Sequence, residues 1–358
     1  MHIDESLRSW LTFSLIHGLG GEHARRLLKE FGSPEAVLTA TPDSLKPFVN
    51  HGIASAIRKG ADEEALARSL AWLKDDGNQV VTLGDADYPK ALLNIPDPPL
   101  LLYVKGRLDL LNAPSLAIVG SRNATPQGIS NAEEFSNALS NAGLCIISGM
   151  AHGIDTAAHR GALRGKGGSI AVVGTGLDKI YPAANRDLAH QLAKEGALVT
   201  EFPLGTPPIG SNFPRRNRLI SGMSIGCLVV EASQQSGSLI TARQALEQGR
   251  DVFAIPGSIH SPQSRGCHKL IKQGAKLVET AQDILEELNL QIPQGLSISP
   301  APARSEGLPD MIGFDPVSMD TLFQRTGLTV SQLSAMLLTL ELEGKIARLP
   351  GGLFQRIH

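Results

Sequence analysis

The sequence is 358 residues long, 42% hydrophobic and 19% charged, with a formal net charge of -2. At roughly 100 to 200 residues per domain, that length predicts two or three domains in an ordinary globular protein, with at least one sizeable core. No apolar run approaches the roughly 18 residues that cross a bilayer, so no membrane partner is expected. The opening MHIDESLRSW carries Asp4 and Glu5 and has no apolar stretch behind a basic start, unlike a secretory signal, which points to a cytoplasmic protein. Cys145, Cys227 and Cys267 are far apart and form no CxxC pair. This spacing argues against a disulfide framework or a thiolate metal site and predicts three small buried apolar residues. Because acids slightly outnumber bases, any nucleic-acid surface has to be local.

Residues 1–65 read as short helices separated by Gly and Pro, a small module of the helix-hairpin-helix or SAM-like kind. Within it, Gly18-Leu19-Gly20 separates two helical patterns. It is either a helix start whose amides face a phosphate or a plain turn with Leu27, Leu28 and Phe31 in the core.

From residue 66 to 290 the pattern alternates between aliphatic runs and helical stretches, which predicts βαβ units and a doubly wound, Rossmann-like parallel sheet. The predicted strands are Leu116–Val119, Leu144–Ile147, Ile170–Val173, Ala197–Thr200, Cys227–Val230 and Val252–Ile255. In such sheets ligands bind beyond the carboxyl ends of the strands, so the following loops hold the candidate site. After the first strand comes Gly120-Ser121-Arg122, with a helix beginning near Gly128. Gly120 permits close approach to the backbone, Ser121 offers a hydroxyl and Arg122 a fork of donors for phosphate oxygens. The loop has neither the GxGxxG of dinucleotide binding nor the GxxxxGK[ST] of a P-loop, so no cofactor is expected. Gly174-Thr175-Gly176 reads as a tight turn.

After the second strand, SGMAHGIDTAAH brings Gly149 and Gly153 for close approach and Asp155 as an N-cap accepting the Ala158 amide. With Asp155 spent as a cap and no third ligand nearby, His152 and His159 are read as neither catalytic nor metal-binding. SNFPRRNRLISGMS then groups Arg215, Arg216 and Arg218 around Asn217, beside Phe213 and without an acid. Clustered guanidiniums next to one aromatic suit a strand whose phosphates are tracked while a base stacks. Two weaker loops, VVEASQQSGSLITARQALEQGR and AIPGSIHSPQSRGCHKLIKQGA, add helix starts at the same edge, the second with Lys269 and Lys272.

Residues 291–309, QIPQGLSISPAPARSEGLP, have the composition of a flexible linker. Residues 310–358 then predict helices over Ser318–Arg325 and Val330–Glu343, the second opened by a Thr329-x-x-Gln332 capping box, and a hairpin turning at Pro350-Gly351-Gly352. Together these form a small winged helix.

The blocks GSR, SGMAHGIDTAAH, NFPRRNRLISGMS, SGSLITARQALEQGRDVFAIPG and GCHKLIKQGA, in this order, resemble the DNA-processing protein A (DprA/Smf) family across most of Trp72 to Leu290. The resemblance implies an extended Rossmann-like fold and a homodimer. It also implies sequence-independent binding of single-stranded DNA, protection of incoming DNA and loading of the RecA recombinase in natural transformation, without catalysis. Matched by motif, Arg122 and Arg216-Asn217-Arg218 line the DNA pocket beside Phe213. Many relatives carry a lysine shortly before that phenylalanine, whereas this chain has Gly210-Ser211-Asn212, which leaves the phosphate contact to Lys269 or Arg215.

The alternative from another class is a nucleotide-processing enzyme resembling the phosphoribohydrolases. Their catalytic Glu has no counterpart in Ser236-Gly237-Ser238-Leu239-Ile240-Thr241-Ala242, so no group is present there to activate water. A duplex-reading winged helix is disfavoured too, because VSQLSAMLLTLELEG has no Lys or Arg and carries Glu341 and Glu343. Protein contact is expected for that domain.

Overall fold

The computed structural model describes residues 4–290 and 308–357. Six helices come first: α1 (Glu5–Ser14), α2 (Gly21–Phe31), α3 (Pro34–Thr39), α4 (Pro42–Leu45), α5 (His51–Lys59) and α6 (Glu63–Trp72). Side chains at Asp4, Ser33, Thr41, Asn50 and Asp62 accept amides at five of these starts, so local chemistry sets the boundaries. Phe13, Leu27, Val37, Leu45 and Ile57 fill the small core between the helices. The helical run continues through Trp72, past residue 65.

The large sheet has nine strands: β1 (Asn78–Thr82), β2 (Leu101–Gly106), β3 (Ser115–Val119), β4 (Cys145–Ser148), β5 (Ser169–Val172), β6 (Ala197–Thr200), β7 (Gly226–Val229), β8 (Asp251–Ala254) and β9 (Lys276–Leu277). They lie in the order β1-β2-β6-β5-β4-β3-β7-β8-β9. Strands β3 to β9 run parallel to their neighbours, whereas β2 is antiparallel to both β6 and β1. The sheet is therefore mostly parallel with an antiparallel extension at one edge.

Helices α7 (Pro126–Asn141), α8 (Ile154–Leu163), α9 (Arg186–Glu195), α10 (Asn212–Gly222), α11 (Ser238–Glu247), α12 (Arg265–Lys272) and α13 (Ala281–Glu287) cover both faces. Successive strand residues point to opposite sides. Thus Ala117, Val119 and Ile147 pack in one core with Leu219, Ala242 and Leu270, while Leu116, Ile118 and Ile146 pack in another with Leu139, Ala158 and Ile284. Burial on both faces explains why these strands read as continuous apolar runs. All three cysteines are free and buried, and burial pushes each thiol up to about 12.

The expected linker at 291–309 lies outside the described residues except for Leu308 and Pro309, which begin α14 (Leu308–Ile312). Then follow β10 (Val317–Ser318), α15 (Met319–Thr326), α16 (Val330–Leu342), β11 (Ile346–Leu349) and β12 (Leu353–Arg356). The order β10-β12-β11 completes a winged helix around Leu322, Leu333, Leu337 and Phe354. The Thr329–Gln332 capping box is formed.

Candidate nucleic-acid interface

The chain steps from β3 to β4, β5 and β6 on one side, then returns to place β7, β8 and β9 on the other. The carboxyl end of β3 is thus where the winding reverses, the position at which such sheets leave a crevice. A cavity of 610 Å³ opens there, lined among others by Gly120, Ser121 and Arg122 after β3, Phe213, Arg216 and Asn217 of α10, and Ser236 and Ser238 at the start of α11.

Arg122 is exposed. Among the described residues no carboxylate pairs with it, and its guanidinium lies 5.7 Å from the centre of the Phe213 ring. The Ser121 hydroxyl accepts the Asn123 amide at 3.1 Å, which holds the turn that presents Arg122. The close approach that Gly120 permits is first one within the protein: a Cβ there would stand 2.6 Å from the Ile154 side chain and 2.9 Å from the Glu231 carbonyl oxygen.

Arg216 is buried beneath the cavity, with 4% of its surface exposed. Its Nη1 donates to the carbonyls of Gly149, at 2.7 Å, and Val172. The Gly149 position has to lack a side chain, since a Cβ would come within 2.7 Å of that guanidinium. Asp155 does not cap α8 as expected; Gly153 occupies the cap position, and the carboxylate turns back to accept the amides of Gly149 at 3.1 Å and Ala151 at 3.3 Å. The reason is the buried cation beyond the loop: a carboxylate facing Arg216 is better placed inside the structure than at a helix start. Burial pushes the Asp155 carboxyl above its usual range, opposed by Arg216 and by those two amides. Burial likewise draws the Arg216 guanidinium down to about 10, with Asp155 opposing and Arg122 assisting. His159 is a core residue: its Nδ1 shares a hydrogen bond of 2.8 Å with Ser169 Oγ, and burial holds its pKa down to about 3.

The Phe213 ring sits between Arg122, Arg216 at 5.9 Å and Tyr181 at 5.6 Å. Two helices begin at the cavity, α10 and α11, and neither has a capping side chain at its N-cap position. The amides of Asn212, Ser238, Leu239 and Ile240 are bonded within their own turns, so it is the positive dipole ends of the two helices that add to Arg122, and the crevice favours an anion although the chain as a whole is slightly acidic. Asp155 is the one carboxylate among the described lining residues, and it is already bonded.

The arginine cluster divides across α10. Arg218 and Arg215 turn to the side away from Arg216, where Glu201 accepts both, at 2.5 and 3.2 Å. Arg218 also donates to the Asp97 carbonyl, and the Asp97 carboxylate is held by Arg25 of α2 at 2.7 Å. Arg215, Arg218, Glu201 and Asp97 line a separate cleft of 230 Å³. The sequence stretch around the arginines holds no acid, yet Glu201, just beyond β6, arrives from a distant turn. Lys269 is exposed on α12 and does not line the cavity. Tyr181, missed in the sequence, does line it; the signal available was an aromatic in the loop after Gly174-Thr175-Gly176, a strand-end position. Among the described residues, no group of three or more His, Cys, Asp or Glu side chains is placed to hold a metal ion, and no helix is long and apolar enough to cross a membrane.

Residues 79–289 match the model of the family described as DNA recombination-mediator protein A, and residues 292–352 match the DprA winged helix domain. The chain belongs to the DNA-processing protein A (DprA/Smf) family. It is 45% identical over 304 residues to Protein Smf of Escherichia coli strain K12, spanning 81% of this chain and 80% of that protein. The solved structure of DNA processing protein A from Streptococcus pneumoniae superposes with a TM-score of 0.69 at 39% identity, covering 80% of this chain and 99% of that one. The Helicobacter pylori homologue, whose structure is described as giving a single-stranded DNA binding mode, superposes at 0.54 with 31% identity, covering 59% of this chain and 96% of that one. Family membership extends the resemblance over both the sheet domain and the winged helix.

Proposed function

We propose that this protein binds single-stranded DNA in the crevice at the end of β3, protects it, and passes it to a RecA-type recombinase during natural transformation, catalysing no reaction. The observation that carries the reading is Arg122, an exposed cation with no carboxylate partner among the described residues, set beside an aromatic ring where the N-termini of α10 and α11 meet the cavity. Arg122 takes a phosphate, assisted by the helix dipoles; Gly120, Ser121 and Asn217 shape the wall; Phe213 backs the aromatic side of the pocket; Gly149 receives buried Arg216, which fixes the floor. Arg215, largely exposed beyond its contact with Glu201, and Lys269 act as outer phosphate contacts, while Arg218 serves by holding α10 in place. The protein works in the cytoplasm as a homodimer, and the winged helix contacts protein. Family membership and the described binding mode of the Helicobacter pylori homologue support this assignment.

The test is fluorescence anisotropy with a labelled single strand, competed by unlabelled single strands or duplex of equal length. Single strands of any sequence are expected to compete, and binding to weaken as salt rises. Equal competition by duplex would overturn the reading. Recombinase transfer is read separately, as faster RecA filament formation on strands coated with a single-strand-binding protein.

A further inference from the structure

Phe213 is the less exposed of the two aromatic rings at the cavity. It is half-buried, wedged among Arg122, Arg216 and Tyr181, and packed so closely on Gly174 that a Cβ there would lie 3.0 Å from its ring. Tyr181 is 45% exposed, with its ring centre 5.6 Å from that of Phe213 and tilted by 38°. It lines the 610 Å³ cavity as well as a smaller one of 80 Å³ that Phe213 and Arg122 also line.

A solvent-facing aromatic on a loose loop would be an ordinary surface residue, but this loop is tied on both sides of Tyr181. Before it, the Thr175 hydroxyl donates to the Lys179 carbonyl at 2.9 Å. After it, Asn185, only 5% exposed, donates from Nδ2 to the Met150 carbonyl and the Thr156 hydroxyl, each at 2.9 Å. Met150 stands at a positive φ of 57° between Gly149 and Ala151, whose groups engage Arg216 and Asp155. The Tyr181 loop is thus braced against the same turn that receives Arg216. A ring held in this way has little conformational freedom left to lose when a base stacks on it.

We propose that Tyr181 is the outer base-stacking residue of the pocket: one nucleobase of a bound single strand lies on the Tyr181 ring while the adjacent phosphate is held by Arg122. The inference rests on the crevice being the single-strand site and adds the residue that grips a base. The ring has a face for every base, so the grip is indifferent to sequence. Tyr181 brings no charge and therefore leaves the salt dependence to the arginines.

The experiment uses the full chain with Tyr181→Ala, Tyr181→Leu, Tyr181→Phe and Tyr181→Trp, an oligo-dT strand, and an abasic deoxyribose-phosphate strand of the same length. The Ala and Leu variants are expected to bind oligo-dT about ten- to a hundred-fold more weakly, with an unchanged salt slope and melting temperature, and the Phe variant to bind within about twofold of the parent. On the abasic strand the four variants and the parent are expected to bind alike. The Trp variant is expected to be quenched by oligo-dT and not by the abasic strand. Parental affinity in the Ala or Leu variant, an equal loss on the abasic strand, or an unquenched Trp would each overturn the inference while leaving the single-strand site standing. Failure of the parent protein to bind oligo-dT would overturn the single-strand reading itself, and this inference with it.

Discussion

Replacing Arg122 with Ala tests the pocket at the residue least entangled with the fold. Its guanidinium is exposed and has no carboxylate partner among the described residues, so the substitution strands no buried charge. It also removes a cation that disfavours the charge on buried Arg216, since both lie within 6 Å of the Phe213 ring centre, at 5.7 and 5.9 Å. The melting temperature is therefore expected to hold or rise slightly. Binding should suffer by the loss of charge-assisted hydrogen bonds worth about 1.5 to 3 kcal/mol each, or one to two orders of magnitude in Kd for a single bond. If Arg122 neutralises one phosphate, the slope of log K against log salt should shrink by about 0.7. Arg122→Lys keeps the charge and loses the bidentate fork, so it should retain the slope and fall between the parent and Ala in affinity. Anisotropy titrations at several salt concentrations, paired with thermal melts, read all three quantities. A well-folded Ala variant with parental affinity and slope would refute the assignment, and a fall in melting temperature would show Arg122 to be structural.

Arg218→Ala should behave in the opposite way: it leaves the Glu201 carboxylate, 5% exposed, with only the longer Arg215 contact. A loss of about 3 kcal/mol is expected, a drop in melting temperature of roughly 6 to 12 °C, and an unchanged melt would contradict the buried pair. His159, held down to about 3 when folded, binds its proton more readily in the unfolded chain, whose histidines titrate near 6.5. Its stabilising contribution is complete above that value and lost as pH falls, by about 1.4 kcal/mol at pH 5.5. Denaturant titrations should show His159→Gln losing less stability than the parent between pH 7 and 5.5, and parallel curves would refute the assignment. Truncation after residue 309 should leave single-strand affinity within about twofold in the anisotropy assay, because no described residue of the winged helix lines the cavity. A loss as large as that of Arg122→Ala would contradict this.

The central strands were legible because each is an aliphatic run, most of them closed at once by Gly, Ser or Pro and two by Glu201 and Glu231, and β3 to β8 fall within a residue of those runs. The antiparallel pair β1 and β2 was not, since it stands among Pro-rich turns outside any βαβ repeat, and the two-residue β9 is too short to carry a period. Arg122 could be found in the sequence because it stands in the short loop that follows its strand, three residues past Val119. The division between Arg216 and Arg218 could not, because the helix turns them to opposite sides and their partners, Asp155 for one and Glu201 with Asp97 for the other, are contributed by remote turns. Asp155 shows the same limit: a residue suited to capping was drawn inward by a cation that no local pattern reveals.

The reversal of winding at β3 has a consequence for how the protein is made. The crevice takes its walls from segments scattered between Val119 and Gln263, and β7, which closes it beside β3, is synthesised only after three other parallel strands have gone to the far side. A nascent chain that has emerged as far as β6 already carries Arg122 and Tyr181 but has no α10 or α11 to set against them. Pairing strands so distant in sequence is slow. Capacity to grip DNA should therefore appear abruptly, late in synthesis, rather than grow with chain length, and shortened products of translation would not compete with the finished protein for the strand.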